Sequence, residues 1–262
     1  MKQAANAKDS LLTLAALGVI AYVFETIGHE ALGHGSACLA LGGQVEVIAP
    51  LWMRCSVTSK VITAAGPCFN LLAAAALGVV VYRRTRLTTF AFLLWFGCAF
   101  NALVACGYLM VGGATTFGDW NVLLAPITPA WTWRAAALGF GLAAYLASLR
   151  VLSHLYGRLV AADGFAKPVL WPRLLVPGVA AALVACLAEL AAGQRHAAGF
   201  GLPLACTIVP ALTLLSMQPE HHRPGQVHEP IGLPFSVALV VAALLIATLF
   251  VGMVGRLGGL LS

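Results

Sequence analysis

The sequence predicts an all-α, polytopic membrane protein with about seven transmembrane helices and a small β element after the first helix. Three observations carry this. Charged residues make up 9% of the chain and hydrophobic residues 61%, whereas a soluble domain carries about 25% charged residues. Mean hydropathy is +0.93, a large apolar excess for the chain as a whole. The apolar residues also fall into runs near the roughly 20 residues that a helix needs to span hydrocarbon, divided by basic or Gly/Pro-containing breaks.

Taken in order, residues 1–9 are a short polar start, and 10–41 read as one long helix that tilts or projects beyond the hydrocarbon. Gly42-Gly43 stops it. Residues 44–60 suggest a hairpin, with strands at 45–48 and 55–58 separated by Pro50. Spans follow at 61–82, closed by Arg83, Arg84 and Arg86, and at 88–111. The stretch 112–120 is a Gly-rich break, of a kind tolerated at membrane depth only against protein or a water-filled cavity. Further spans are expected at 131–156, 174–192, 199–217 and 235–257, with polar loops at 157–173 and 218–234. We treat 1–130 as the core and 131–262 as additional helices of the same domain.

With seven spans, ten of the fifteen Lys and Arg residues fall on the side of the N-terminus. The positive-inside rule then places that terminus in the cytoplasm and residues 28–35 towards the outer half of the membrane. The expected location is a bacterial cytoplasmic membrane. No basic patch interleaved with aromatics points to nucleic acid; the expected partners are membrane lipid and a peptide or membrane-protein substrate. Seven cysteines include no C-x-x-C pair, and the default reading is small apolar packing residues.

Four ionisable residues, Glu25, His29, Glu30 and His34, lie within ten positions of the first apolar run. Such residues in a membrane helix mark function by default. His29-Glu30 and His34 form H-E-x-x-x-H, one residue longer than the H-E-x-x-H pattern in which two histidines hold zinc and the Glu acts as general base. On a regular helix, five residues turn about 500°, leaving the two side chains about 140° apart. A π-bulge absorbs one inserted residue and would restore a common face. The alternatives are a regular helix with Glu30 paired to His34, or polar packing between helices with no metal.

A catalytic zinc usually has three protein ligands. Between positions 47 and 162 the only acid is Asp119, in the Gly-rich break; it suits a third ligand, or else an N-cap for the helix that follows. Asn70, in Gly66-Pro67-Cys68-Phe69-Asn70, suits a contact to a substrate carbonyl or a hydrogen bond between helices. Asn101 is read as structural.

Gly28-His29-Glu30…Gly33-His34-Gly35 followed by Ala65-Gly66-Pro67-x-x-Asn70-Leu71-Leu72 resembles the site-2 protease family of intramembrane zinc metalloproteases. The resemblance covers about residues 15–120. It implies Zn2+ bound by His29, His34 and Asp119, Glu30 as the catalytic base, and Asn70 near the substrate. The His spacing departs from the family by one residue. The family's N-x-x-P-x-x-x-L-D-G segment has only a loose counterpart in Phe117-Gly118-Asp119-Trp120. An alternative resemblance is to histidine-box di-iron membrane oxygenases and desaturases, through His29, His34 and Gln218-Pro219-Glu220-His221-His222; the middle H-x-x-H-H box of those enzymes is missing, since His154 and His196 stand alone. A non-proteolytic metal-binding scaffold or transporter is the third reading.

Overall fold

The computed structural model describes residues 9–160, 170–193, 197–217 and 232–259. Helix α1 (Leu11–Ile27) begins at Ser10, whose hydroxyl accepts from the Thr13 amide at 3.3 Å, satisfying one of the free N–H groups of the first turn. It runs without a break into a π-helical segment, Gly28–Gly35, and then into α2 (Ser36–Ala40). Gly42, at φ +77°, ends this 30-residue rod, a conformation that glycine adopts without steric cost. Strands β1 (Val45–Ile48) and β2 (Met53–Cys55) pair antiparallel. The second strand therefore lies earlier than the expected 55–58.

Helix α3 (Lys60–Tyr82) is capped by Ser59 and α4 (Thr89–Ala114) by Thr88. Then come α5 (Asp119–Leu124), α6 (Ala130–Val160), α7 (Leu170–Ala191), α8 (Ala197–Leu214) and α9 (Val237–Gly259). The expected break at 112–120 is narrower than the sequence suggested. Gly112 and Gly113 remain helical because their bare faces pack against Trp120 and the α6 backbone, and only 115–118 is irregular. The expected loop at 157–173 is likewise shorter, since α6 continues to Val160 and α7 starts at Leu170. The histidines at 221, 222 and 228, with the expected loop around them, and His196 lie outside the described residues.

Among the described residues, five helical stretches are long and apolar enough to cross a membrane: Leu11–Ala40, Lys60–Tyr82, Thr89–Ala114, Ala130–Val160 and Trp171–Ala191. The sixth and seventh expected spans correspond to α8 and α9, whose described apolar stretches, Pro203–Leu214 and Val237–Met253, are shorter. The outer faces carry bare apolar side chains such as Leu72, Phe90, Phe140 and Leu244, as a lipid-facing surface requires and a water-facing one avoids. The centre is packed from α1, α4, α6 and α7. Trp95, Phe92, Phe96, Phe100 and Tyr156 are fully buried there, and the Trp95 indole donates to the Leu152 carbonyl at 3.0 Å, so the burial leaves no orphaned donor.

Two close crossings fix where the π segment sits. At Gly18 a Cβ would run into the Pro177 backbone of α7, and at Gly33 it would meet Gly66 Cα of α3 at 2.7 Å. Small residues are what allow two membrane helices to approach backbone to backbone. At the other end of the bundle, Arg173 clamps Asp9 with Nε–Oδ2 2.7 Å and Nη2–Oδ1 3.0 Å, both side chains 4% exposed. Asp9 Oδ1 also accepts from the Leu233 amide at 2.8 Å. The start of α1, the start of α7 and the approach to α9 are thereby tied together.

Candidate metal centre

The π segment settles how two histidines five apart come to face one another. Its hydrogen bonds reach one residue further than those of an α-helix; the Ser36 amide, for example, donates to Ala31 O. The wider turn brings positions i and i+5 onto one face. His29 Nε2 and His34 Nε2 lie 3.2 Å apart, and each lies 3.3 Å from Asp119 Oδ2. His34 Nδ1 donates to the Ile62 carbonyl at 2.7 Å, which fixes the tautomer and leaves Nε2 as a lone-pair donor facing the other two. His29 and His34 are buried and Asp119 is partly buried.

Asp119 is delivered by local geometry. It is the first residue of α5, and the position before it, Gly118, has φ +90°, a region that L side chains rarely adopt. A Cβ at Gly118 would also strike the Tyr108 ring at 2.8 Å. The helix boundary therefore falls at Gly118, and the Asp119 side chain is turned to the histidines instead of capping its own helix. Asp119 lies outside the spanning helices. Burial pushes its carboxyl up, but when the imidazoles are protonated, hydrogen bonds donated by His29 and His34 outweigh this and hold it below the usual carboxylate range.

Three potential ligand atoms converging in this way suit a cation. For tetrahedral zinc with ligand distances of about 2.0–2.1 Å, neighbouring donor atoms are about 3.3–3.4 Å apart. The edges of the His29, His34, Asp119 triangle are 3.2, 3.3 and 3.3 Å. Gly66 of α3 closes one side: a Cβ there would collide with the Nε2 atoms of both histidines. The Gly33–Gly66 crossing thus sets the helix spacing and leaves room for the two imidazoles.

Glu30 is 3% exposed, and its Oε2 is buried with no hydrogen-bond partner. With Glu25, Thr26, His29 and Tyr108 it lines a cavity of about 40 Å³, enough for one or two waters. A second cavity, of about 1170 Å³, is lined by His34, Asp119, Met53, Ile62, Tyr108 and Phe117, among others. Tyr108 and Leu51 border both spaces. Strand β2, not β1, is the strand on the wall of the larger cavity.

Asn70, expected beside a substrate, is fully buried and lines neither cavity. Its amide nitrogen donates to Glu25 Oε1 at 2.9 Å, and Thr26 Oγ1 donates to Glu25 Oε2 at 3.4 Å. The side chain therefore holds Glu25 in place beneath the π segment. Asn101 donates to the Gly97 carbonyl one turn back in its own helix, in keeping with a structural role. Cys38, read from the sequence as a packing residue, forms a disulfide with Cys55, tying the end of the rod to β2. No spacing rule singles out that pair among seven cysteines. Tyr108 and Glu189, which also borders the larger cavity, were not apparent from the sequence, since neither lies in a motif; the only signal for Glu189 is that a lone acid interrupts an apolar run.

No protein-family model matches the chain, and neither the curated proteins nor the solved structures searched contain a match to it.

Proposed function

We propose that this protein is a membrane-embedded zinc metalloprotease that hydrolyses peptide bonds in or beside the membrane. The observation that carries the reading is the triangle of His29 Nε2, His34 Nε2 and Asp119 Oδ2, with edges close to those of a tetrahedral zinc site. The resemblance of the His29-Glu30…His34 and Gly66-Pro67-x-x-Asn70 segments to the site-2 protease family supports the same chemistry. The disulfide belongs with an oxidising compartment and accords with a site in the outer membrane half, a cytoplasmic N-terminus and seven crossings.

Zinc at this site would supply Lewis acidity and a bound water of lowered pKa. Glu30, which lines the small cavity together with His29 and whose Oε2 has no partner, would serve as the base toward an attacking water. The water oxygen bonds to the scissile carbonyl carbon; the C–N bond then breaks as the amine nitrogen receives the proton from Glu30. The substrate enters the larger cavity as extended chain, because β2 offers it backbone hydrogen-bonding groups along one wall. Asn70 and Thr26 hold Glu25, and through it the approach to the π segment.

The test is hydrolysis of a set of internally quenched apolar peptides by the purified protein and by Glu30→Gln. The expected result is zinc-dependent cleavage that falls by about 10²–10⁴-fold in the variant, with metal content unchanged. Full cleavage by Glu30→Gln removes the assigned base. Metal uptake and transport into vesicles at wild-type rates by Glu30→Gln, without any cleavage, would favour a transporter.

A further inference from the structure

We propose that Glu189 forms a subsite that accepts the cationic side chain of a Lys or Arg residue in an otherwise apolar peptide occupying the larger cavity. The word peptide rests on the function proposed above; the cation preference does not.

Glu189 is the single acid between positions 164 and 219, and it lies within the apolar span Trp171–Ala191 of α7. The residue is 2% exposed. Its Oε1 is buried without a hydrogen-bond partner, and among the described residues no cation lies within ion-pair distance of it. A carboxylate placed this way costs several kcal/mol, so a packing role does not account for it.

The same side chain borders the 1170 Å³ cavity whose wall also carries His34 and Asp119. Helix α8 faces that space with Gly201 and Ala205, one turn apart. A Cβ on Gly201 would meet nothing within 4 Å, so α8 leaves the wall open at that point. The cations already on the cavity wall are engaged or peripheral: Arg54 pairs with Glu46 at 3.0 Å, and Lys60 is exposed at the start of α3. Much of the rest of the wall, including Trp52, Ile62, Val111 and Phe117, is apolar, with hydroxyls at Thr58, Ser59, Thr63 and Thr115. The chemistry therefore fits an apolar segment carrying one positive charge, whose ammonium or guanidinium would supply the missing partner of Oε1.

The experiment uses full-length protein in detergent with the Glu30→Gln change, so that hydrolysis does not consume the probe. Doubly blocked Leu/Ala peptides carrying one Lys, scanned along the sequence, are compared with counterparts carrying norleucine in its place. At one or more positions the Lys peptide is expected to bind at least tenfold more tightly, and this preference should vanish when Glu189→Gln is added. Carbodiimide coupling of the bound Lys peptide should place the cross-link on Glu189 itself, a readout that needs no change at that residue. Equal binding of the Lys and norleucine peptides, no binding of either, a preference that survives Glu189→Gln, or a cross-link confined to another carboxylate would each overturn the proposal. Whether the protein cleaves peptides is read separately, from the Glu30 comparison, so either idea can fail without the other.

Discussion

Replacing Gly66 by alanine is the most discriminating small change the structure offers. The added methyl would sit 2.6 Å from His29 Nε2 and closer still to His34 Nε2, where ordinary contact begins at 3.4 Å. The His29 ring must therefore retreat by about 0.8 Å. The His34 ring is held from behind by the Ile62 carbonyl, and the Gly66 backbone cannot withdraw without disturbing the crossing at Gly33. Forcing a methyl into a packed site costs about 1–3 kcal/mol, which corresponds to a loss of roughly 5–150-fold in zinc affinity. Alanine is also a better helix former than glycine by about 1 kcal/mol, so loss of helix stability is not the expected effect. Gly78→Ala on the same helix is the control, because its methyl would meet only Cys98 Sγ at 3.6 Å. The assay is zinc titration against a competing chelator, with thermal unfolding of the apo-proteins alongside. Wild-type zinc affinity in Gly66→Ala would refute the placement of the ligands, as would an equal loss in Gly78→Ala.

Two further perturbations test the frame around the site. Asp9→Ala leaves the buried Arg173 guanidinium without its bidentate partner. It should destabilise the protein by about 3–5 kcal/mol, read as a lowered unfolding midpoint in detergent; an unchanged midpoint would show that the clamp does not form. Cys38→Ser or Cys55→Ser opens a loop closed across a separation of 17 residues, with an expected loss of about 3 kcal/mol and faster proteolytic nicking within 41–58. Two free thiols at Cys38 and Cys55 in the unreduced wild type, seen by mass spectrometry, would contradict the pairing.

The sequence was most informative where membrane burial makes a residue expensive. A pair of histidines and two acids in an apolar run, with one lone acid between positions 47 and 162, marked His29, Glu30, His34 and Asp119 before any geometry was known. For both histidines to share a face, the five-residue spacing needed a local distortion, which the sequence offered as one of its alternatives, and the π segment is that distortion. The five long apolar helices were legible because their hydrophobic runs match membrane thickness, whereas the end of α4 was not, since the helical backbone continues through Gly112 and Gly113, where neighbours pack against it. Long-range pairings left no local trace. The Cys38–Cys55 bond, the Asn70–Glu25 hydrogen bond and the Asp9–Arg173 clamp join positions 17, 45 and 164 residues apart. Asn70 shows the limit most clearly: its motif position suggested the substrate, and its contact is Glu25.

The measurement that bears most directly on the metal centre is elemental mass spectrometry of the purified protein beside His29→Ala, His34→Ala and Asp119→Ala. About one zinc per chain is expected in the wild type, lost in all three variants while near-native helical content shows that folding is preserved. Zinc retained in the Asp119→Ala protein, or two irons per chain in the wild type, would contradict this zinc site.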